Sequence, residues 1–422
     1  MNETRFRKAV HLGLGRAIRF AQEHDVRQFR EIILDACLHC YAVDVQSEGT
    51  RAPFMLELVE STRERDFYCD AVLKGLAGAG DDSSGLQRFN FATYLAMDGD
   101  LRAKEHIYQH FAPGPRWGED IGVNLVRLDG GEGFLVAARA IGRLLVTGQK
   151  TADDGWLWHV AQETLGSPEA KAALEVESQS DPDLAAYLAS VSAKKTGGST
   201  LSKLVGLSYP ELCEELPGSR PIQLQWRARK AEAGDIEAAA RGLMAATAPS
   251  EQIQHLQFFA ETPFPGIPSQ LIRWSSGGDE QLARAATIAL TNVPGPAIRE
   301  LAFQLVQEQR PSRGTAIRLL ARNYEVGDEA TALSWFLGER DPDTIHEMGM
   351  GLRDFRDMNL DPARETQILL ALYEHGSCSF CRGTAVHRLI EMESLPAAIR
   401  DECLLDTNED IRELAGAGPT ED

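Results

Sequence analysis

The sequence has no long apolar run. No stretch reaches the roughly 18 consecutive apolar residues that a membrane-spanning helix needs. The N-terminal segment is basic but has neither a continuous apolar core nor a small-residue cleavage site. We therefore expect no membrane span and no secretory signal. With 422 residues, 43% of them hydrophobic and 25% charged, the chain is expected to fold into two or three domains or one extended repeat array.

Positive charge is also scarce. The chain has 43 Lys and Arg residues against 63 Asp and Glu residues, which gives a formal net charge of −20. Proteins that bind nucleic acid usually neutralise phosphates with a basic face, so this balance argues against a dedicated DNA or RNA role. It suits a protein partner that presents a basic segment.

Several common catalytic motifs are absent from the sequence. It has no nucleophile elbow, no His-Glu-x-x-His, and no kinase or P-loop set. The glycine-rich segment 127–134, RLDGGEGF, has no strand before it and no Gly-Lys-Ser/Thr after it, so we interpret it as a turn. We predict a non-catalytic protein and no cofactor.

Alternation typical of β-strands is nearly absent, whereas helix signals recur along the chain. Several segments begin with a capping residue followed by proline, which is typical of a helix start. The oxygen of the capping side chain accepts backbone N–H groups that have no partner in the helix, and proline has no N–H to leave unpaired. These starts are Ser167-Pro168, Asp181-Pro182, Asp341-Pro342 and Asp361-Pro362. The chain is predicted to be all-α.

From about residue 278 onward, similar helical segments recur. EQLARAATIALTNV, RGTAIRLLARNY, DTIHEMGMGLRDF, FCRGTAVHRLIEM and EDIRELAGAG begin roughly 30 to 36 residues apart, with partner helices between them. Over residues 204–416 this pattern resembles HEAT and armadillo-type repeats. The resemblance implies a right-handed α-solenoid of antiparallel helix pairs, with Asp and Arg residues joining successive repeats and a concave binding face. HEAT-like folds also include DNA glycosylases and bilin lyases, so an enzyme is the alternative.

The predicted domain organisation follows from these patterns. Residues 1–192 form an N-terminal helical domain with less regular pairs, and the polar, glycine-bearing segment 193–203 is the candidate linker. Residues 204–416 form the repeat array, and residues 417–422 are a frayed tail.

Seven cysteines, an odd number in a long chain, are not the pattern of a disulfide framework. We expect reduced thiols in the cytoplasm. Four of the cysteines form two Cys-x-x-Cys pairs, Cys37 with Cys40 and Cys378 with Cys381. In both pairs, at about 100° per residue, the two cysteines share the apolar stripe of a helix, while a nearby histidine points to the opposite face.

Buried packing is therefore the favoured interpretation of both pairs. A metal site at the second pair is the alternative, and it would need to recruit His375, just before the helix, and Cys403, from the next helix, beside Cys378 and Cys381. A redox pair is a further alternative, because a helix N-terminus lowers the pKa of a thiol.

Two other segments supply candidate binding residues. In TADDGWLWHV, Trp156 and Trp158 diverge by about 200° on a helix, so at least one of them is expected to be exposed, with His159 beside them. In YAVDVQSEGTRAPF, Arg51 either belongs to a polar network that fixes a helix–helix turn or contacts a ligand.

Together these patterns predict a helical-repeat scaffold or adaptor that binds another macromolecule, with a protein as the favoured partner, on its concave face. The alternatives are an enzyme on a HEAT-like scaffold and a module regulated by thiol chemistry or metal.

Overall fold

The computed structural model describes residues 1–112, 114, 116–150, 155–196, 207–215, 221–266, 268–358 and 360–417, without the side chains of residues 194–196, 214–215, 221–223 and 357. Every regular element within these residues is a helix, which confirms the all-α prediction. None of these helices combines the length and the apolar character that crossing a membrane requires.

The chain divides into two compact units, Met1–Gly197 with Leu395–Asp422, and Gly198–Ser394. The first unit begins with twelve helices within its described residues. They are α1 (Glu3–Leu12), α2 (Arg16–Glu23), α3 (Arg30–Leu38), α4 (Val45–Glu48), α5 (Ala52–Glu60), α6 (Arg65–Gly75), α7 (Ser83–Met97), α8 (Leu101–His110), α9 (Gly118–Val146), α10 (Trp156–Leu165), α11 (Ser167–Glu177) and α12 (Pro182–Thr196).

The second unit has twelve further helices within its described residues. They are α13 (Tyr209–Glu215), α14 (Pro221–Ala228), α15 (Ala233–Ala245), α16 (Pro249–Phe259), α17 (Ser269–Ser275), α18 (Glu280–Leu290), α19 (Pro296–Gln307), α20 (Ala316–Arg322), α21 (Asp328–Gly338), α22 (Pro342–Asp354), α23 (Pro362–His375) and α24 (Ser379–Glu391). The chain then returns to the first unit with α25 (Ala397–Cys403) and α26 (Glu409–Gly416). Short 3-10 helices lie at Arg27–Phe29, Leu76–Gly78, Pro311–Thr315 and Phe355–Met358.

The helix caps follow the sequence signals in most places. Asp341 accepts the backbone N–H of Thr344 at 2.9 Å, and Asp361 accepts that of Ala363 at 2.9 Å, so each satisfies an orphan donor at a proline-led helix start. Ser167 is an exception. It is the first residue of α11 and follows Gly166, which occupies the cap position with φ 92°.

The C-terminal helices pack against the start of the chain. The Thr407 backbone N–H donates to the Gly13 carbonyl oxygen at 2.8 Å, and Arg16 pairs with Glu402 at 2.7 Å. A side chain at Gly15 would meet the Glu402 carbonyl oxygen at 2.0 Å, so this approach requires glycine. The sequence-based division kept residues 395–416 in the repeat array, because helical periodicity does not show which distant helix a segment packs against. The candidate linker, residues 193–203, lies largely outside the described residues.

The glycine-rich segment interrupts α9. Asp129 and Gly130 leave the helical conformation, Gly130 with φ 55° and ψ −121°, which confirms a turn between two helical halves. Tyr108 donates to the Asp129 carboxylate at 2.5 Å, and Lys104 pairs with the same group at 2.5 Å. The segment is therefore a bend whose Asp129 carboxylate contacts Lys104 and Tyr108.

Several helices in the second unit contact the helix two further along the chain. Helix α14 contacts α16, α16 contacts α18, α20 contacts α22, α21 contacts α23, and α22 contacts α24. Consecutive helices also pack together, as in α19 with α20 and α23 with α24. This pattern is typical of stacked helix pairs. The right-handed solenoid and the HEAT resemblance stay predictions.

Ion pairs join separate segments of the second unit. Arg299 contacts Asp328 through two bonds of 3.0 and 2.7 Å, with the Asp328 side chain 4% exposed. Arg313 donates to Glu339 at 2.8 Å. Burial opposes ionisation of Glu339, but the bond from Arg313 and backbone N–H donors lower its pKa to about 2.

Candidate functional site

The second unit contains a cleft of about 380 Å³ between α22, α23 and α24. Its floor is apolar, since Leu352, Phe355, Ile368 and Ala385 are each less than 5% exposed. Met350, which is 37% exposed, stands at the cleft as an accessible apolar side chain. A volume in this range suits a small ligand or a few side chains of a peptide.

The charged side chains lining the cleft are mostly basic. Four arginines line it against two carboxylates. Both carboxylates are already paired: Arg318 donates to Asp354 at 3.3 Å and Arg388 donates to Glu365 at 2.8 Å. The other two arginines that line the cleft are Arg353 and Arg356. In a chain of net charge −20, the lining of this cleft therefore carries an excess of positive charge.

A thiol–histidine cluster lies beside the cleft. It consists of His346 from α22, Cys378 at the N-cap of α24, and Cys381 in the first turn of α24. Their ligand atoms all lie within 4.8 Å of one another, and the Cys381 Sγ is 3.7 Å from the His346 Nδ1. Both thiols are buried and the histidine is half-buried.

Arg353 connects the cleft to the cluster. It lines the cleft, and its guanidinium donates to the Cys381 Sγ at 3.9 Å. A side-chain hydrogen bond with Cys381 and burial raise the pKa of the Cys378 thiol above its ordinary range. This shift is opposite in direction to the lowered thiol pKa that the redox alternative requires.

The histidine in this cluster differs from the predicted one. The sequence analysis named His375, the last residue of α23, whereas the group of convergent ligand atoms contains His346 instead. Cys403 ends α25 and belongs to the first unit. His346 precedes Cys381 by 35 residues, which matches the predicted repeat spacing, so only the predicted stacking of repeats could have indicated it.

Among the described residues, no histidine or further cysteine joins the other Cys-x-x-Cys pair in a comparable group. Cys37 is fully buried in α3, which ends at Leu38, so Cys40 lies beyond the helix, where its backbone N–H donates to the Ser84 Oγ at 3.0 Å. His39 faces outward and contacts Asp35 at 2.9 Å. Burial raises the pKa of both thiols. Within the described residues, no metal-competent group forms at this pair.

The tryptophan segment divides as the helical phase predicts. Trp156, the first residue of α10, is 44% exposed, whereas Trp158 is half-buried against Phe134, with ring centroids 6.0 Å apart. His159 is exposed and contacts Glu163 at 3.3 Å. Trp156 lines a second cleft, of about 400 Å³, in the first unit. The two aspartates before it, Asp153 and Asp154, lie outside the described residues.

Arg51 lies in a buried polar network. It is 5% exposed, pairs with Glu48 at 3.0 Å and donates to the His11 carbonyl oxygen at 2.5 Å. Glu48 also accepts the backbone N–H groups of Val43 and Asp44, at 2.7 and 3.0 Å. The sequence offers two interpretations of Arg51, and this arrangement matches the one in which Arg51 belongs to a polar network that fixes a helix–helix turn.

Comparisons with protein-family models, with curated proteins and with solved structures find no match for this chain.

Proposed function

We propose that this protein is a non-catalytic helical-repeat scaffold, and that its second unit binds a segment of a partner protein in the arginine-lined cleft. The proposal depends on one observation: the same cleft combines an apolar floor with an excess of basic side chains along its lining. Apolar contacts supply binding free energy, and arginines supply charge-assisted hydrogen bonds that orient the segment. Arginine is also among the residue types enriched in the centres of protein interfaces.

The chemistry of the cleft favours a segment with acidic and apolar side chains. The net charge of the whole chain predicts a basic partner, but salt screens charges beyond about 8 Å, so the groups that line the cleft decide what enters it. The acidic remainder of the surface then repels acidic segments that approach elsewhere.

The cellular compartment belongs to the same proposal. All seven cysteines are free thiols, and five of them are buried by more than nine-tenths without forming a disulfide. This state suits a reducing compartment, and we place the protein in the cytoplasm.

The test is a binding measurement with short fluorescent peptides by anisotropy. Peptides that alternate acidic and apolar residues are expected to bind, with affinity that falls as salt rises, and charge-reversed peptides are not. Arg356→Glu should weaken binding at least about tenfold, since each 1.4 kcal/mol changes affinity by that factor. Met350→Ser should weaken it less.

The matched control is Arg241→Glu, which makes the same change of charge on α15 at a side chain that is 71% exposed and does not line the cleft. If Arg241→Glu weakens peptide binding as much as Arg356→Glu does, the cleft has no role in binding. Preference for an oligonucleotide over the acidic peptides would replace the protein partner with nucleic acid.

A further inference from the structure

The geometry of the thiol–histidine cluster suits a transition metal. In a tetrahedral zinc site, Zn–S distances of about 2.3 Å and Zn–N distances of about 2.0–2.1 Å place sulfur and nitrogen about 3.6 Å apart. The Cys381 Sγ and His346 Nδ1 are 3.7 Å apart, and the Cys378 Sγ lies within 4.8 Å of both atoms. These three ligand atoms therefore surround a point that a metal ion can occupy with only small side-chain movements.

We propose that His346, Cys378 and Cys381 bind a zinc ion with three protein ligands and leave the fourth tetrahedral position to solvent or to an external ligand. This proposal goes beyond the proposed function and does not depend on it. Two thiolates and a neutral imidazole balance the charge of Zn²⁺, so the occupied site is neutral, as a buried site needs to be. Hard cations such as Mg²⁺ and Ca²⁺ require oxygen ligands, which this group lacks.

The surroundings of the cluster support thiolate ligands. Cys378 and Cys381 lie at the N-terminus of α24, a helix of 13 residues, where the helix dipole favours negative charge. Independently, Arg353 donates to the Cys381 Sγ at 3.9 Å from the face of α22 that also carries His346, two turns away. A guanidinium beside a metal-bound thiolate is a second-shell donor that orients the ligand.

The proposed ion would join two helices of successive pairs. His346 belongs to α22, whereas both cysteines belong to the start of α24, so the ion would cross-link α22 to α24 beside the cleft. His346 is half-buried, whereas both cysteines are buried. Three protein ligands with one open position is the arrangement found when zinc keeps an exchangeable ligand.

The first experiment is metal analysis of the full chain, expressed without a histidine tag and purified without chelators. We expect one zinc per chain, and expect stoichiometric zinc to be lost in Cys381→Ser and in His346→Ala.

His387→Ala and Cys213→Ser are the matched controls and should retain zinc. His387 lies on α24 itself but is exposed and contacts Glu391 at 3.4 Å, and Cys213 is a free thiol on α13 of the second unit. Arg353→Ala should weaken zinc affinity about 10–100-fold, the usual range for second-shell partners.

A second measurement keeps the proposal testable if a ligand variant fails to fold. Titrating the metal-free wild-type chain with Co²⁺ should produce thiolate-to-cobalt charge-transfer absorption and the intense d–d bands of a tetrahedral site, saturating at one equivalent. Zinc should displace the cobalt and remove the spectrum. If the wild-type chain binds neither ion, or if Cys378 and Cys381 are recovered as a disulfide or as two free thiols in metal-replete protein, the proposal is wrong.

Discussion

The two Cys-x-x-Cys pairs have the same spacing and different surroundings. Cys37 lies inside α3, and Cys40 follows the end of that helix. Cys378 and Cys381 begin α24 and face His346 from α22. The first pair therefore lies at the C-terminal end of a helix, where the dipole disfavours a thiolate, and the second lies at an N-terminal end, where it favours one.

Their histidines differ as well. His39, within the first motif, contacts Asp35 on the exposed surface, and His387, near the second, contacts Glu391 in the same way. The histidine that reaches a thiol comes from another helix, 35 residues away. A short motif thus does not decide the chemistry of a cysteine pair. The position of the pair in its helix and the side chains that another helix brings to it matter as well.

The largest expected difference between the pairs is their tolerance of a carboxylate. Cys37→Asp should lower the free energy of unfolding by about 3–5 kcal/mol, because it buries an uncompensated charge. The loss in the free energy of unfolding for Cys381→Asp should be at least about 1–2 kcal/mol smaller than that for Cys37→Asp, since Arg353 and the helix N-terminus offset the charge. Urea denaturation followed by circular dichroism measures both. Equal destabilisation would mean that the two sites are equivalent packing positions.

The next effect concerns the charged networks beside each pair. Glu48→Ala leaves Arg51 buried with only the His11 carbonyl as a charge-assisted partner, so we expect a loss of roughly 2–3 kcal/mol. The matching change beside the second pair is Glu365→Ala, whose partner Arg388 is 33% exposed and also contacts Glu391. It should cost about 1 kcal/mol or less. The same denaturation experiment measures the free energy of unfolding of both variants. A larger loss for Glu365→Ala than for Glu48→Ala would contradict the account that burial makes the Glu48–Arg51 network the more important one.

The smallest effect is a pH dependence near the first pair. Burial lowers the pKa of His11 from 6.5; Asp35 opposes the shift, whereas Arg7 and Arg51 add to it. His11 also stacks on Tyr41, with ring centroids 3.8 Å apart. Because the unfolded chain then binds this proton more readily than the folded one, stability should fall as the pH drops below 6.5 and should be unaffected by this group above it.

Thermal unfolding at several pH values tests this dependence. His11→Gln should flatten the fall below pH 6.5 without removing it, because burial also lowers the pKa of His255 in the second unit. An unchanged slope in His11→Gln would show that His11 titrates with its ordinary pKa.

The sequence predicts local structure better than long-range partners. Asp341 and Asp361 are caps as predicted, and Trp156 is exposed while Trp158 is half-buried, because these features depend on residues within one or two turns. The sequence does not predict that Thr407 contacts Gly13, or that His346 contacts Cys381, because both contacts depend on which distant helices pack together.

The cleft could not be predicted for a related reason. Its lining comes from separate segments between Arg318 and Arg388, and no short stretch of sequence contains the excess of arginine. The net charge of −20 indicates a basic partner, whereas the cleft favours an acidic one, since a total does not show where individual charges lie. Repeat spacing is the one signal that could have brought these residues together.

X-ray absorption at the zinc edge of the wild-type protein tests most directly whether the second pair is a metal site and the first is not. The account predicts a first shell of two sulfurs at about 2.3 Å with nitrogen and oxygen ligands at about 2.0–2.1 Å. This spectrum should be unchanged in a Cys37→Ala, Cys40→Ala variant. A shell without sulfur, or loss of the sulfur ligands in that variant, would contradict it.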